Sequence, residues 1–119
     1  MQIVVSAQGT DTNSLVDTRF GRAKHLLLVD TEAETAEELA GASGAGAAQG
    51  AGVQAASAIA ATPAAALISG NVGPRAFTVL ERAGIACYLA TEVTVAEAVA
   101  ALERGELPQQ NAANVQEHW

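Results

Sequence analysis

The stretch from Ala64 to Gly84 narrows the folds open to this chain more than any other. Ala64-Ala65-Ala66-Leu67-Ile68-Ser69 has the length of a buried strand, and it runs straight into Gly70-Asn71-Val72-Gly73-Pro74-Arg75. Pro74 suits the first position of a helix, where its missing N–H is no loss. Phe77 and Leu80 follow at helical spacing and Gly84 stands just past the end, which predicts a helix of about ten residues. Strand, glycine turn and helix in direct succession are the repeating unit of α/β folds.

The same alternation organises the rest of the chain. Gln2 to Ala7 reads as a short apolar strand, followed by turn chemistry from Gln8 to Ser14. Lys24 to Asp30 is a second strand. Thr31 to Leu39 carries Glu34, Glu37 and Glu38 and is read as a third, edge strand, joined to the second by a hairpin, although alanine and glutamate also favour helix. Ala40 to Gly52 is a glycine–alanine stretch of low complexity, expected to be a flexible loop. Val53, Ala56, Ile59 and Ala60 then mark a helix that Pro63 ends. Ile85 to Ala90 is a further strand, and Thr94-Val95-Ala96-Glu97 has the form of a capping box opening a last helix, closed by Gly105. Five strands result, in a mixed sheet. The domain is expected to span residues 1–107, and the polar, aperiodic stretch from Pro108 to Trp119 reads as a mobile tail.

Composition bounds the function. The chain has 119 residues, enough for one core, but 28 of them are alanine, which buries far less apolar surface than leucine or phenylalanine. Aromatics make up only 3%, too few for a base-stacking surface, and the net charge of −7 opposes binding to nucleic acid or anionic membranes. Yet four of the six basic residues sit in or beside two turns: Arg19, Arg22 and Lys24 around one, Arg75 after the other. That concentration points to a pocket for a small anion, with scattered solubilising charge as the alternative. Cys87 is the only cysteine, so neither an intramolecular disulfide nor an all-cysteine metal cage can form within one chain. With no basic leader and no apolar run near the ~20 residues of a membrane span, a cytoplasmic protein is expected.

Other candidates have plainer readings. Cys87, in an apolar strand, reads as a buried thiol, and His25 as a half-exposed structural histidine near the basic loop. Asp17 is placed to orient Arg19 or Arg22, and Phe20 either plugs the core or walls the pocket. The glycine run at 44–50 misses the G-x-G-x-x-G spacing, and no G-K-[ST] phosphate loop is present. The first strand supplies no carboxylate for a two-metal nuclease, and no serine or cysteine is spaced to work with a histidine. Catalysis is therefore not expected.

Four motifs in order carry a resemblance: Val16-Asp17 with Arg19-Phe20-Gly21-Arg22-Ala23, Gly50-Ala51-Gly52-Val53-Gln54-Ala55-Ala56, Gly70-Asn71-Val72-Gly73-Pro74-Arg75-Ala76-Phe77, and Ala83-Gly84-Ile85. Together they resemble the dinitrogenase iron–molybdenum cofactor biosynthesis family over roughly residues 1–107, and within it the small stand-alone members of sulfate-reducing bacteria. The resemblance implies a three-layer, ribonuclease H-like α/β/α fold that binds a molybdenum–copper sulfide cluster, anionic and without covalent cysteine ligation. Carried onto this chain, the site comprises Arg19, Phe20, Gly21, Arg22, Ala23, Asn71, Gly73 and Arg75. P-loop ATPases of the cluster-carrier type are the implied protein partners. Some members place a histidine or cysteine near the glycine loop, whereas Ser43 to Gly52 has neither, which favours non-covalent holding. The alternatives are a carrier of iron–molybdenum cofactor or its precursor, and a cluster-free adaptor.

Overall fold

A computed structural model describes residues 1–39 and 51–110. The sequence-based loop from Ala40 to Gly52 falls outside these up to residue 50, and so does most of the expected tail. The order of elements is β1 (Gln2–Ala7), a 3-10 turn (Phe20–Arg22), β2 (His25–Asp30), β3 (Thr35–Glu38), α1 (Ala51–Ala60), β4 (Ala66–Ser69), α2 (Pro74–Arg82), β5 (Ala86–Leu89), α3 (Val95–Glu103) and β6 (Gln109–Gln110). Among the described residues the strands form one sheet in the order β3-β2-β1-β4-β5-β6. β1, β4 and β5 run parallel, and the β1–β2, β2–β3 and β5–β6 pairs are antiparallel.

The period of two along β1 sorts the core onto two faces. Val4 points to one side, where it meets α1 and α2 through Ala56, Ile59, Phe77 and Leu80. Ile3, Val5 and Ala7 point to the other, where α3 covers them with Val95, Ala98 and Val99. The result is three layers, helices on both faces of a mixed sheet, as parallel strands covered on both sides require. β2 and β3 form the expected hairpin, with Val29 opposite Ala36 and all four residues of β3 exposed at the sheet edge. The capping box is formed: Thr94 Oγ1 accepts from the Glu97 N–H at 3.1 Å, and Glu97 Oε1 accepts from the Thr94 N–H at 3.0 Å. The second helix stops as expected, with Gly84 at φ 77°, a conformation that carries no Cβ penalty only for glycine.

Three expectations need correction. The sheet has six strands rather than five, because Gln109–Gln110 pairs with Cys87 and Tyr88 of β5. The domain boundary at Leu107 is too early for the same reason, since Gln110 is 1% exposed and belongs to the core. Two glutamines after a proline carry no strand pattern; the open edge of β5 supplies it. Finally, α1 begins at Ala51, so Ala51 and Gly52 are helical rather than loop. Gly52 faces Ala76 in the first turn of α2, where helix packing outweighs its low helix propensity.

Candidate functional site

β1 and β4 are parallel neighbours, so their carboxyl ends lie side by side. In open α/β sheets a crevice forms at this end, where successive connections leave in opposite directions. Here β1 leads to the arginine-bearing loop, and β4 leads through Gly70–Gly73 into α2.

Buried hydroxyls tie the two turns to these strand ends. Ser6, in β1, and Ser69, in β4, are fully buried. Ser6 Oγ lies 2.7 Å from Ser69 Oγ and 2.5 Å from the carbonyl oxygen of Asp17, while the Asp17 N–H donates to the Ser6 carbonyl at 2.8 Å. The loop thus leaves the sheet in a fixed direction. Gly70 closes the contact: a Cβ built there would lie 2.3 Å from the Thr18 carbonyl oxygen and 2.8 Å from its Cα. Only a residue without a side chain permits that approach of two backbones.

Asp17 organises the cationic loop. Its carboxylate is buried and accepts from the Arg19 backbone N–H at 2.9 Å, from Nε at 3.2 Å and from Nη2 at 3.3 Å. This fork-to-carboxylate pairing, with the hydrogen bonds ahead of the charge attraction, raises the Arg19 pKa further above its ordinary value. Arg19 is therefore oriented by Asp17, as the sequence suggested, while its side chain stays 65% exposed. The 3-10 turn follows, closed by Arg22 N–H donating to the Arg19 carbonyl at 2.9 Å, and it leaves Arg22 exposed. Phe20 goes the other way. Its ring is 4% exposed and packs in the core under α1 and α2, so it anchors the turn from beneath. Ala23 is also buried, Gly21 half-buried and Lys24 exposed.

On the second turn, Asn71 and Arg75 are exposed, and Gly73 is the N-cap of α2 with no side-chain capping bond. Pro74 has no N–H and the Phe77 N–H already donates to the Gly73 carbonyl, leaving the N–H groups of Arg75 and Ala76 uncapped among the described residues. Among the described residues, a Cβ at Gly73 would meet nothing within 4 Å. The contrast with α3 is instructive: its Val95, Ala96 and Glu97 N–H groups donate to the Ser14 carbonyl, the Thr12 carbonyl and Thr94 Oγ1. The N-terminus of α3 is spent on structure, whereas that of α2 keeps two N–H groups without a partner among the described residues, an arrangement that favours negative charge.

The remaining candidates lie elsewhere. His25 pairs through Nδ1 with Glu38 across the β2–β3 hairpin, a structural contact. Cys87 is buried, and burial, helped by Glu81, pushes its thiol from 9.0 up to about 11. The neutral thiol is thus favoured by folding, and its contribution to stability is present below pH 9 and lost as pH rises towards about 11. Urea midpoints measured from pH 8 to 11 are expected to fall more steeply for the wild type than for Cys87→Ala; parallel curves would refute this. A cleft of ≈ 260 Å³ between the hairpin and α3 is lined by Asp30, Glu34 and Glu103 among others, and those carboxylates repel an anion. Sequence reasoning missed Ser6, Ser69, Thr18 and Gly70, whose faint signal is that a serine closes each of two apolar runs. It also missed Gln110, for which no local signal exists.

Fold and geometry together define a small three-layer α/β protein with a cationic turn beside a helix N-terminus that is uncapped among the described residues. The chain belongs to the dinitrogenase iron–molybdenum cofactor family, whose sequence profile matches residues 1–105. That membership places it among cofactor-binding and carrier proteins. Among solved structures, it is similar to the apo form of the orange protein from Desulfovibrio gigas, with 36% identity over 92% of each chain and a TM-score of 0.86. It is also similar to a NifB-type protein from Thermotoga solved by NMR, with 30% identity over 91% of each chain and a TM-score of 0.77. No curated protein matches the sequence significantly.

Proposed function

We propose that this protein holds an anionic molybdenum–copper sulfide cluster non-covalently between the two turns, as a carrier or store rather than an enzyme. The observation that carries the reading is the backbone contact of Gly70 with Thr18, which sets the arginine loop against the uncapped first turn of α2. A multiply charged sulfide anion suits that donor set. Arg22 and Arg75 offer guanidinium charge, Arg19 offers the donors that Asp17 leaves over, and two backbone N–H groups and the helix dipole add to them. Cys87 is unsuited to ligation, since its thiol is buried in the core and resists ionisation. Likeness to the orange protein supports this cargo. A cytoplasmic location and loading or unloading by P-loop ATPases of the cluster-carrier type belong to the same proposal. In the described residues, no helix is long and apolar enough to cross a membrane.

A second cargo, iron–molybdenum cofactor or its precursor, is favoured by the family's name and by the NifB-type relative. Anaerobic incubation of the apo-protein with tetrathiomolybdate and cuprous ion, followed by desalting, separates the two. Molybdenum and copper co-eluting with the protein, together with a visible charge-transfer band, is the expected result. Colourless protein free of both metals would overturn the molybdenum–copper reading, and binding of the iron–molybdenum cofactor would then be measured directly. Failure there too leaves the adaptor.

A further inference from the structure

Gln110 stands just outside the segment matched by the family profile, yet it is among the most buried polar residues described. Its side-chain amide faces the backbone of Val72, in the turn between β4 and α2. Gln110 Oε1 accepts from the Val72 N–H at 3.0 Å, and Nε2 donates to the Val72 carbonyl at 2.8 Å. The side chain thus acts as a surrogate peptide group, reading both polar atoms of one residue.

Val72 needs such a partner. It is 2% exposed, and its place between the end of β4 and the start of α2 gives it neither a strand neighbour nor a helical turn to bond with. A buried peptide group left unpaired costs the full loss of hydration, so turns of this kind are held only where something pairs with them. The pairing is possible because Gln110 lies opposite Cys87 in β6, and the Leu89 N–H donates to the Pro108 carbonyl at 2.9 Å. Asn71 and Gly73 flank the clamped residue. Fixing both atoms of Val72 therefore fixes the peptide planes on either side, and with them the entry into α2 and the direction of Arg75.

We infer that Gln110 is a positioning residue for the anion site, holding the second turn in the conformation that presents Asn71, Gly73 and the first turn of α2 to the cargo. This rests on the cluster-binding reading above. It gives the C-terminal strand a part in cargo retention that its sequence does not suggest.

The test compares full-length wild type with Gln110→Met, which keeps the side chain's bulk and loses both hydrogen bonds, and with Val99→Ala. Val99 belongs to α3 and packs on the opposite face of the sheet, so this control weakens the fold without touching the turn. Each apo-protein is incubated with tetrathiomolybdate and cuprous ion and desalted, and amide hydrogen exchange is followed at Val72, Gly73 and Arg75. Gln110→Met is expected to bind metal about ten-fold more weakly and to exchange faster at these amides. Val99→Ala, with a lowered melting midpoint, is expected to keep wild-type retention. Equal retention by wild type and Gln110→Met would overturn the inference alone. Equal losses in both variants would reduce Gln110 to general stability and overturn it as well. Wild type that binds neither metal would overturn the molybdenum–copper reading and this inference with it, a result told apart by where the failure falls.

Discussion

Gly70→Ala is expected to lower the melting midpoint by roughly 10 °C and to abolish retention of the cluster. The added methyl would lie 2.3 Å from the Thr18 carbonyl oxygen and 2.8 Å from Thr18 Cα and Cβ. Two of these three atoms are backbone, in a loop pinned to β1 through Ser6, so no side chain can simply rotate away. Relief requires the arginine loop and the second turn to move apart. Forced rearrangement of a packed site costs typically about 1–3 kcal/mol, and the upper end applies because the Ser6–Ser69–Asp17 hydroxyl network lies immediately below. The expected loss of cargo exceeds what destabilisation alone would cause, because the two halves of the site are then separated even in molecules that remain folded. A variant that melts like wild type and retains metal would show that the two turns do not need this contact.

The double variant Arg22→Ala/Arg75→Ala is expected to lose the cluster while keeping the fold. Both side chains are exposed, and truncating exposed groups that anchor nothing changes stability by roughly 0.5 kcal/mol or less. What is removed is guanidinium charge on either side of the proposed site. Arg19→Ala is a different experiment, although sequence alone puts the three arginines on one footing. Truncating Arg19 takes the counter-charge from the buried Asp17 carboxylate, which then keeps the Arg19 backbone N–H as its one partner among the described residues. Its stability is expected to drop together with its retention, and only the double variant reads binding cleanly. Thermal melts beside elemental analysis after desalting decide the matter. Full retention by the double variant, with its melting curve unchanged, would remove the arginines from the site.

How far the site can be read from sequence depends on the range of the forces involved. The turn from Gly70 to Arg75 and the capping box at Thr94 are local patterns, and their residues form the predicted elements to within a few positions. Asp17 beside Arg19 is local too, and its orienting role is visible in two residues of chain. Phe20 is undecided in sequence, because an aromatic in a basic loop suits a pocket wall as well as a core. Burial under α1 and α2, elements that begin only at Ala51 and Pro74, decides it.

By itself the sequence determined the alternation of strands and helices, the concentration of cationic side chains in two turns of an acidic protein, and the family. The first two follow from the periodicity and chemistry of neighbouring residues, and the family from the likeness of its motifs and profile. The tertiary structure alone decided that β1 and β4 lie side by side, that Gly70 meets Thr18, that the chain before α3 fills the N-terminus of that helix while α2 is left uncapped among the described residues, and that Gln110 holds Val72. Each depends on backbone groups whose surroundings come from elsewhere in the chain, and a backbone group carries no side-chain signature of what it will meet. Buried N–H and C=O groups such as those of Val72 must be paired, and only the folded arrangement determines which partner is within reach.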